Sequence, residues 1–536
     1  MLKINQLKLR ADEDQSLIRE TLLHKLHLSA SDLISFKILK KNIDARDKHL
    51  IFFTYSIAFE VKNERYVLNQ KNSNVSIYHE KQLPPLTNGI KELKNPVIIV
   101  GFGPAGIFAA YNLIKNGYPV VVFERGKEVE KRNKDVKRFI EEGVLDENSN
   151  IQYGEGGAGT YSDGKLTARS KDIRVKKIYE QLVEFGADEE ILYEAYPHLG
   201  SDNLKIIIPK IRRKIIELGG VIKFDETIKE LIKDENDAII AVKSDKGVYE
   251  ASNVVLALGN SSRDSFINFY RQGLFMENKP FAIGFRIEHH QKLIDEALYH
   301  KFANHPNLHA ASYRLAHQDN SGRGCYTFCM CPGGEVVAAT SLKEHVCVNG
   351  MSDYNRDKEN ANSAILCQVS EKDYGDELFA GINFQDELER RAYKAGGNNY
   401  KAPVQRVTDF LNNKESEYLG KVKPSYPLGY TFTDFNKLFP KAICDCLKEG
   451  LLDFNHKIKG FSNDDAILTG VETRTSSPVR ITRDNSTMQS VSIKGVYPIG
   501  EGSGYAGGIV SSAIDGLKCA EMIISTYAKP IEKTSK

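Results

Sequence analysis

Residues 97–106 read VIIVGFGPAG: four apolar residues running directly into glycines at 101, 103 and 106. An apolar run of this length bounded by glycine reads as a buried strand, and IFAAYNLIKNG (107–117) continues at helical spacing until Gly117 stops it. PVVVFERG (119–126) is the next strand, so the order is strand, glycine turn, helix, strand. In such a unit Gly101 permits the tight turn, Gly103 lets the backbone approach a pyrophosphate, and Gly106 lets the helix lie close to the strand. Pro104 and Ala105 open that helix, whose N-terminus faces the phosphates. Glu124 ends the second strand 18 residues past Gly106, with Arg125 after it. That is near the distance of about 20 at which an acid accepts hydrogen bonds from an adenosine ribose. A nicotinamide dinucleotide and FAD both fit at this point.

The far end of the chain decides between them. YPIGEGSGYAGGIVSSAIDG (497–516) repeats the pattern of a strand ending in glycine and an acid, Gly500 and Glu501, then Gly507 and Gly508 and a helix from Ile509. A second strand-to-helix turn can hold a ribityl chain and aim amides at a flavin edge. The reading is therefore one non-covalent FAD, since no attachment motif is visible. VVLALGN (254–260), containing Gly259, is similar to the intervening strand-and-glycine motif of two-motif flavoproteins.

A narrower resemblance rests on QYGEGGAGTYSDGKLTAR (152–169), HLGSDNL (198–204), GFRIEH (284–289), FCMCPGGEVVAAT (328–340) and VNGMS (348–352). In that order they resemble the uncharacterised bacterial FAD-dependent dehydrogenase family of NAD(P)/FAD-dependent oxidoreductases. The resemblance implies an α/β fold with a Rossmann-type FAD-binding domain of the glutathione-reductase-like superfamily. It also implies an N-terminal α+β ferredoxin-like domain and an inserted, mainly β substrate domain. The expected boundaries are 1–85 for the first domain, 95–275 with 456–530 for the FAD domain, and 276–455 for the insertion.

The 536 residues allow roughly three domains. Lys and Arg total 73 against 71 Asp and Glu, a net charge of +2, which gives no electrostatic footprint for nucleic acid or an anionic membrane. No apolar run is long enough to span a membrane or to act as a secretory signal, and eight cysteines do not make a secreted framework. A soluble, cytoplasmic protein with reduced thiols is expected. LIFFTYSIAFEV (50–61) places Phe53, Tyr55, Ile57 and Phe59 on one strand face. That face packs on the helix at 15–26 or, less favourably, stacks RNA bases.

Catalytic candidates are fewer. The loop from Gly154 to Arg169 is rich in glycine, including Gly157, and surrounds Lys165, which reads either as a pyrophosphate or flavin-edge contact or as a solvated lysine. Ile228, opening a strand after the 220s, is assigned to the cofactor site. Arg286, Glu288 and His290 share one face of FAIGFRIEHH and read as a substrate-binding row or, more often, as a paired, solvated face. His198 is a second candidate acid. In CYTFCMCPGG, regular alternation puts Cys325, Cys329 and Cys331 on one face, read as buried structural thiols; the spacing fits no iron-sulfur or other metal site. The expected chemistry is hydride transfer between flavin and a small organic substrate, with NAD(P)H as a transient donor if it reduces the flavin. The rivals are a flavin monooxygenase and an RNA-binding or RNA-modifying flavoprotein.

Overall fold

A computed structural model describes residues 1–167 and 170–530. Val97–Val100 is the middle strand of a five-stranded parallel sheet ordered Val496–Pro498, Val254–Leu256, Val97–Val100, Val120–Phe123, Val221–Lys223. The run VIIV has no polar position because both faces are covered. Val97 and Ile99 pack with the helices Pro104–Lys115 and Ile509–Thr526. Ile98 and Val100 pack with the antiparallel meander Ile228–Lys233, Ile239–Ser244, Val248–Glu250. The order of strands reverses beside the middle strand, so the loops after Val100, Leu256 and Pro498 leave the same sheet edge, where open α/β sheets take ligands. At Gly516 an added Cβ would stand 2.1 Å from the Ala105 carbonyl oxygen, so the two glycine-turn helices touch along their backbones.

The N-terminal sheet runs Leu33–Asp44, Phe52–Val61, Leu2–Arg10, Val75–Ile77, with all neighbours antiparallel. Ile18–Leu26 and Glu64–Asn69 make the two crossovers, which is the ferredoxin-like order. Phe53, Tyr55, Ile57 and Phe59 are all buried in the core with Leu22 and Leu26, so the face that base stacking requires is closed by the helix. The same core is continuous with the insertion's, and Asn307 Nδ2 donates to Ala11 O at 2.9 Å. Among the described residues no helix is long and apolar enough to cross a membrane.

The insertion is built on a seven-stranded sheet ordered Ala316–Gln318, Gly324–Cys331, Asn360–Val369, Phe281–His290, Ile467–Glu472, Ala402–Arg406, Tyr430–Phe432. Two expectations change here. The boundary placed at residue 455 falls inside the helix Lys441–Lys457, and Ile467–Glu472 lies within this sheet rather than in the FAD domain. Phe281–His290 is a central strand covered on both faces, so Arg286 and Glu288 have no exposed surface, and of the row only His290, at the strand end, keeps contact with solvent. Alternation alone does not distinguish a half-exposed strand from a central one that carries paired charges.

Candidate functional site

Gly101 adopts φ +101°, a left-handed conformation that favours glycine, and its N–H donates to Phe123 O at 2.7 Å. At Gly106 a Cβ would stand 2.0 Å from Gly101 O, so this glycine is required by the fold itself. Gly103 differs: its φ is −80° and an added Cβ meets only Gly157 Cα, at 3.8 Å. The space beyond Gly103 is left open at the start of the helix. Pro104 occupies the first helical position, where no N–H is lost, and the first helical bond to Gly103 O comes from Ile107 at 2.9 Å. The earlier amides, near Ala105 and Gly106, therefore make the electropositive end of the helix.

Glu124 is buried and clasps backbone. Its Oε2 accepts from Phe102 N at 2.8 Å, and its Oε1 accepts from Gly126 N at 2.9 Å and Gly154 N at 3.0 Å. A carboxylate has about four acceptor positions, so roughly one remains for a ribose hydroxyl. Arg125 lies over the Tyr153 ring at 4.6 Å and donates to Asp264 at 2.9 Å and Ser265 at 3.0 Å, which commits it to protein partners. Ile228 is a core residue of the meander.

The loop from 150 to 165 is held by an arginine that the sequence does not announce. Fully buried Arg132 donates to the carbonyls of Asn150 (2.7 Å), Ile151 (2.9 Å), Glu155 (2.7 Å) and Gly157 (2.9 Å), with Tyr161 against its guanidinium. Gly156 N donates to Phe102 O at 2.8 Å, which ties this loop to the first glycine turn. Further on, Asp163 accepts a bidentate bond from Arg356 at 2.6 and 2.9 Å. Lys165, beside Asp163, reaches the Met330 carbonyl on the sheet of the insertion. His198 pairs by backbone with Lys165, stacks on Tyr354, and donates from Nε2 to Tyr354 O at 2.9 Å. Burial, then the Arg356 charge, lowers its pKa to about 4, so the ring is neutral and has no spare proton for the acid role considered above. Ala168 and Arg169, the end of the 152–169 motif, lie outside the described residues.

The second turn is anchored from its helix. Gly500 has φ +77°, and its N–H donates to Asp515 Oδ2 at 2.8 Å. Arg483 grips Asp515 at 2.7 and 2.9 Å and covers the Tyr505 ring at 3.8 Å. Glu501 accepts from Asn260 Nδ2 at 3.0 Å, and burial raises its pKa to about 7. Gly259 and Gly507 would place a Cβ in open space, Gly508 meets only Ser511 Oγ at 4.0 Å, and Ile509 begins the helix against Gly159. Three loops therefore converge with backbone exposed at 103, 259, 507 and 508, a cradle that side chains would fill. Two helix N-termini bound it. This donor set suits a dinucleotide with a pyrophosphate and a flavin.

The insertion closes the other side. Arg286 donates to Asn362 Oδ1 at 3.0 Å, Glu472 Oε2 at 3.2 Å and Cys329 O at 2.8 Å, so it organises buried groups instead of facing a substrate. Burial raises Glu472 to about 7 despite that arginine. Glu389, fully buried, is gripped by Arg263 and Arg474 at 2.7 Å each, and the two arginines hold its carboxyl well below the usual range. Asn260 also donates to Arg474 O at 3.0 Å, which links this cluster to Glu501. Among the described residues no group of His, Cys, Asp or Glu is placed to hold a metal ion.

Residues 280–475 match the family described as FAD-dependent protein, C-terminal domain-like, and residues 1–60 match a domain of unknown function (DUF8436). An uncharacterised protein of Clostridium beijerinckii is 44% identical over 533 residues, covering 99% of both chains. The chain belongs to the family of that protein, a family of FAD-dependent proteins. Its cofactor is FAD, as the two glycine turns imply. Among solved structures, glycine oxidase from Geobacillus kaustophilus aligns at TM-score 0.37 and 11% identity over 81% of this chain and 95% of that one. L-amino acid deaminase from Proteus vulgaris aligns at 0.24 and 14%, over 38% of this chain, which spans 63% of that one. Likenesses this low carry no argument; the fold of this FAD-dependent chain rests on its strand order.

Arg132, Arg483 with Asp515, Asn260, Glu389 with its two arginines, and Glu472 were not found by reading the sequence. Their partners lie up to 241 positions away, as with Asn260 and Glu501. Arg132 sits in VEKRNKDVKRF, where nothing separates it from neighbouring charges that face water.

Proposed function

We propose that FAD lies along the edge of the parallel sheet, its pyrophosphate over Gly103 and the helix at Pro104, its flavin end by Glu501, Gly507, Gly508 and Lys165. Bound there, it supplies two-electron hydride chemistry. The substrate is a small organic molecule entering between that end and the insertion. The observation that carries this reading is the set of glycines with empty space beyond them, at both turns and at Gly259, facing one cradle.

The protein groups divide the remaining work. The amides at the start of Ile509–Thr526 bring partial positive charge to the flavin end and favour a reduced, anionic ring. Lys165, half-buried, adds a full positive charge there. Glu501, with a pKa of about 7, holds or releases a proton at its carboxyl oxygen near neutral pH, the range a general acid or base needs. Arg286 and His198 position neighbours and do not touch the substrate. NAD(P)H, where it acts as reductant, uses the substrate opening in turn.

Anaerobic stopped-flow mixing of the FAD-loaded chain with panels of amino acids, hydroxy acids and NAD(P)H tests this. Flavin bleaching by a small organic molecule or a nicotinamide supports hydride transfer. Oxygen uptake stoichiometric with a hydroxylated product supports the monooxygenase reading instead.

A further inference from the structure

Of the eight cysteines, Cys329 alone is not buried. It is also the one that leaves its strand. Between Phe328 opposite Ala364 and Cys331 opposite Asn362, the strand Gly324–Cys331 holds one residue more than its partner, a bulge, and Cys329 takes φ +43°. This departs from the regular strand face expected of the three thiols. A left-handed conformation in a residue with a side chain is costly and concentrates at functional positions.

The surroundings of the bulge are those of a working thiol pair. Cys331 Sγ lies 3.2 Å from Cys329 O and 3.5 Å from Arg286 Nη2, which also bonds that carbonyl at 2.8 Å. Lys165, from the glycine loop assigned to the flavin end, bonds the carbonyl of Met330 between them. Asn362 gives its carbonyl to Arg286 and keeps a buried Nδ2 with no acceptor. The Cys331 thiol, aided by Lys165 and Arg286 and opposed by burial, holds Cys329 below its ordinary value, while burial pushes Cys331 up. The charge of Cys329 is felt by Glu501 and Glu472. One cysteine is thus poised as a thiolate and the other as its protonated neighbour, the polarity of a nucleophilic and a resolving thiol. Fully extended chain would set the two Cα atoms about 6.6 Å apart, the upper edge of disulfide reach, and the bulge at Cys329 departs from that extension.

We propose that Cys329 and Cys331 form a redox dithiol that exchanges two electrons with the flavin. In one direction the Cys329 thiolate and the Cys331 thiol join in an S–S bond as the Cys331 S–H bond breaks; the two electrons and the one proton released convert FAD to the anionic FADH−. In the other, FADH− returns them and restores the thiolate and the thiol. The proposal rests on the placement of the flavin end given above. Cys325, by contrast, pairs across the sheet with Cys367 and is fully buried; its thiol neighbours, burial and the Asp319 carboxylate all raise it, and no cation lowers it.

The test is an anaerobic dithionite titration of the oxidised, FAD-loaded full chain, with iodoacetamide trapping at each point and mass analysis of the tryptic peptide Gly324–Lys343. The expected result is about four electrons per FAD. In the oxidised protein that peptide is lighter by two hydrogens and alkylates at Cys325 alone. In Cys331→Ser and in Cys329→Ser the uptake falls to that of a lone flavin and the light peptide disappears. If one variant fails to fold, the wild-type peptide decides: three alkylated cysteines at every stage, with FAD retained and two electrons taken up, overturn the dithiol alone. A wild-type chain that holds no FAD overturns the flavin placement and this proposal with it.

Discussion

The two glycine turns look alike in sequence, each a strand ending in glycine with an acid to follow, yet their acids live differently. Glu124 has three backbone N–H donors, while Glu501 has one side-chain donor and is pushed to about 7. The first acid is part of the frame; the second is left for something else to complete. The glycines divide in the same manner. Gly106 is closed by Gly101 O, whereas Gly103, Gly507 and Gly508 look into space. A pattern of glycine and acid thus marks where backbone and ligand meet, without saying which of its residues belong to the fold.

The largest effect should come from Gly106→Ala. Its Cβ would meet a backbone oxygen at 2.0 Å, and neither strand nor helix can retreat from that contact. We expect a loss of about 3 kcal/mol or more, read as a lower urea midpoint or as failure to accumulate folded protein. Gly103→Leu should separate fold from ligand. The backbone there is ordinary and the neighbourhood open, so the far-ultraviolet spectrum and melting of the flavin-free chain should stay near wild type while FAD retention falls at least tenfold. A Gly103→Leu protein as yellow as wild type would place the pyrophosphate elsewhere. Glu124→Gln should be milder. One amide oxygen cannot serve Phe102, Gly126 and Gly154 together, and leaving buried N–H groups unpaired costs about 1–3 kcal/mol by chemical denaturation. A cost no larger than that of Glu501→Gln would erase the contrast between the two acids.

What could be read from the sequence was local. The strands, the helix after Gly103 and the turn at Gly500 are each set by residues within about fifteen positions, and periodicity reports them faithfully. The buried frame was not legible, because Arg132, Arg483 and Glu389 acquire meaning only from distant partners. Phe281–His290 read as solvated because its charges alternate, and nothing local says that two further strands flank it. The bulge at Cys329 was missed because CYTFCMC alternates without a glycine to mark the irregularity; a cysteine takes the conformation that glycine usually supplies. The end of the insertion was placed at 455, about seventeen residues early, because the turn-rich stretch 458–466 reads as a linker, whereas the strand beyond it, 467–472, returns to the insertion's sheet.

The smallest expected effect is a pH dependence, and it tests which acid is unfinished. Glu501 titrates at about 7 in the fold against 4.5 as its ordinary value, so the folded chain takes up a proton that the unfolded chain has released between those values. Its contribution to stability is therefore fully present below about 4.5 and is lost as pH rises through 7. This is the reverse of a salt-bridged carboxylate. Glu472 and Glu155, raised to about 7 by the same burial, act in the same direction, so no single replacement removes the whole slope. In the flavin-free chain we expect stability to fall by the order of 1–3 kcal/mol per such group between pH 5 and 7.5. Glu501→Gln should remove one share of that fall while leaving the stability at pH 5 nearly unchanged, because the neutral amide resembles the protonated acid. Glu124→Gln should lower stability at both pH values, because buried N–H groups lose their acceptor. Denaturant midpoints of both variants across this range give the comparison directly. An unchanged slope in Glu501→Gln would mean that its carboxyl is ionised in the fold and already satisfied by the protein.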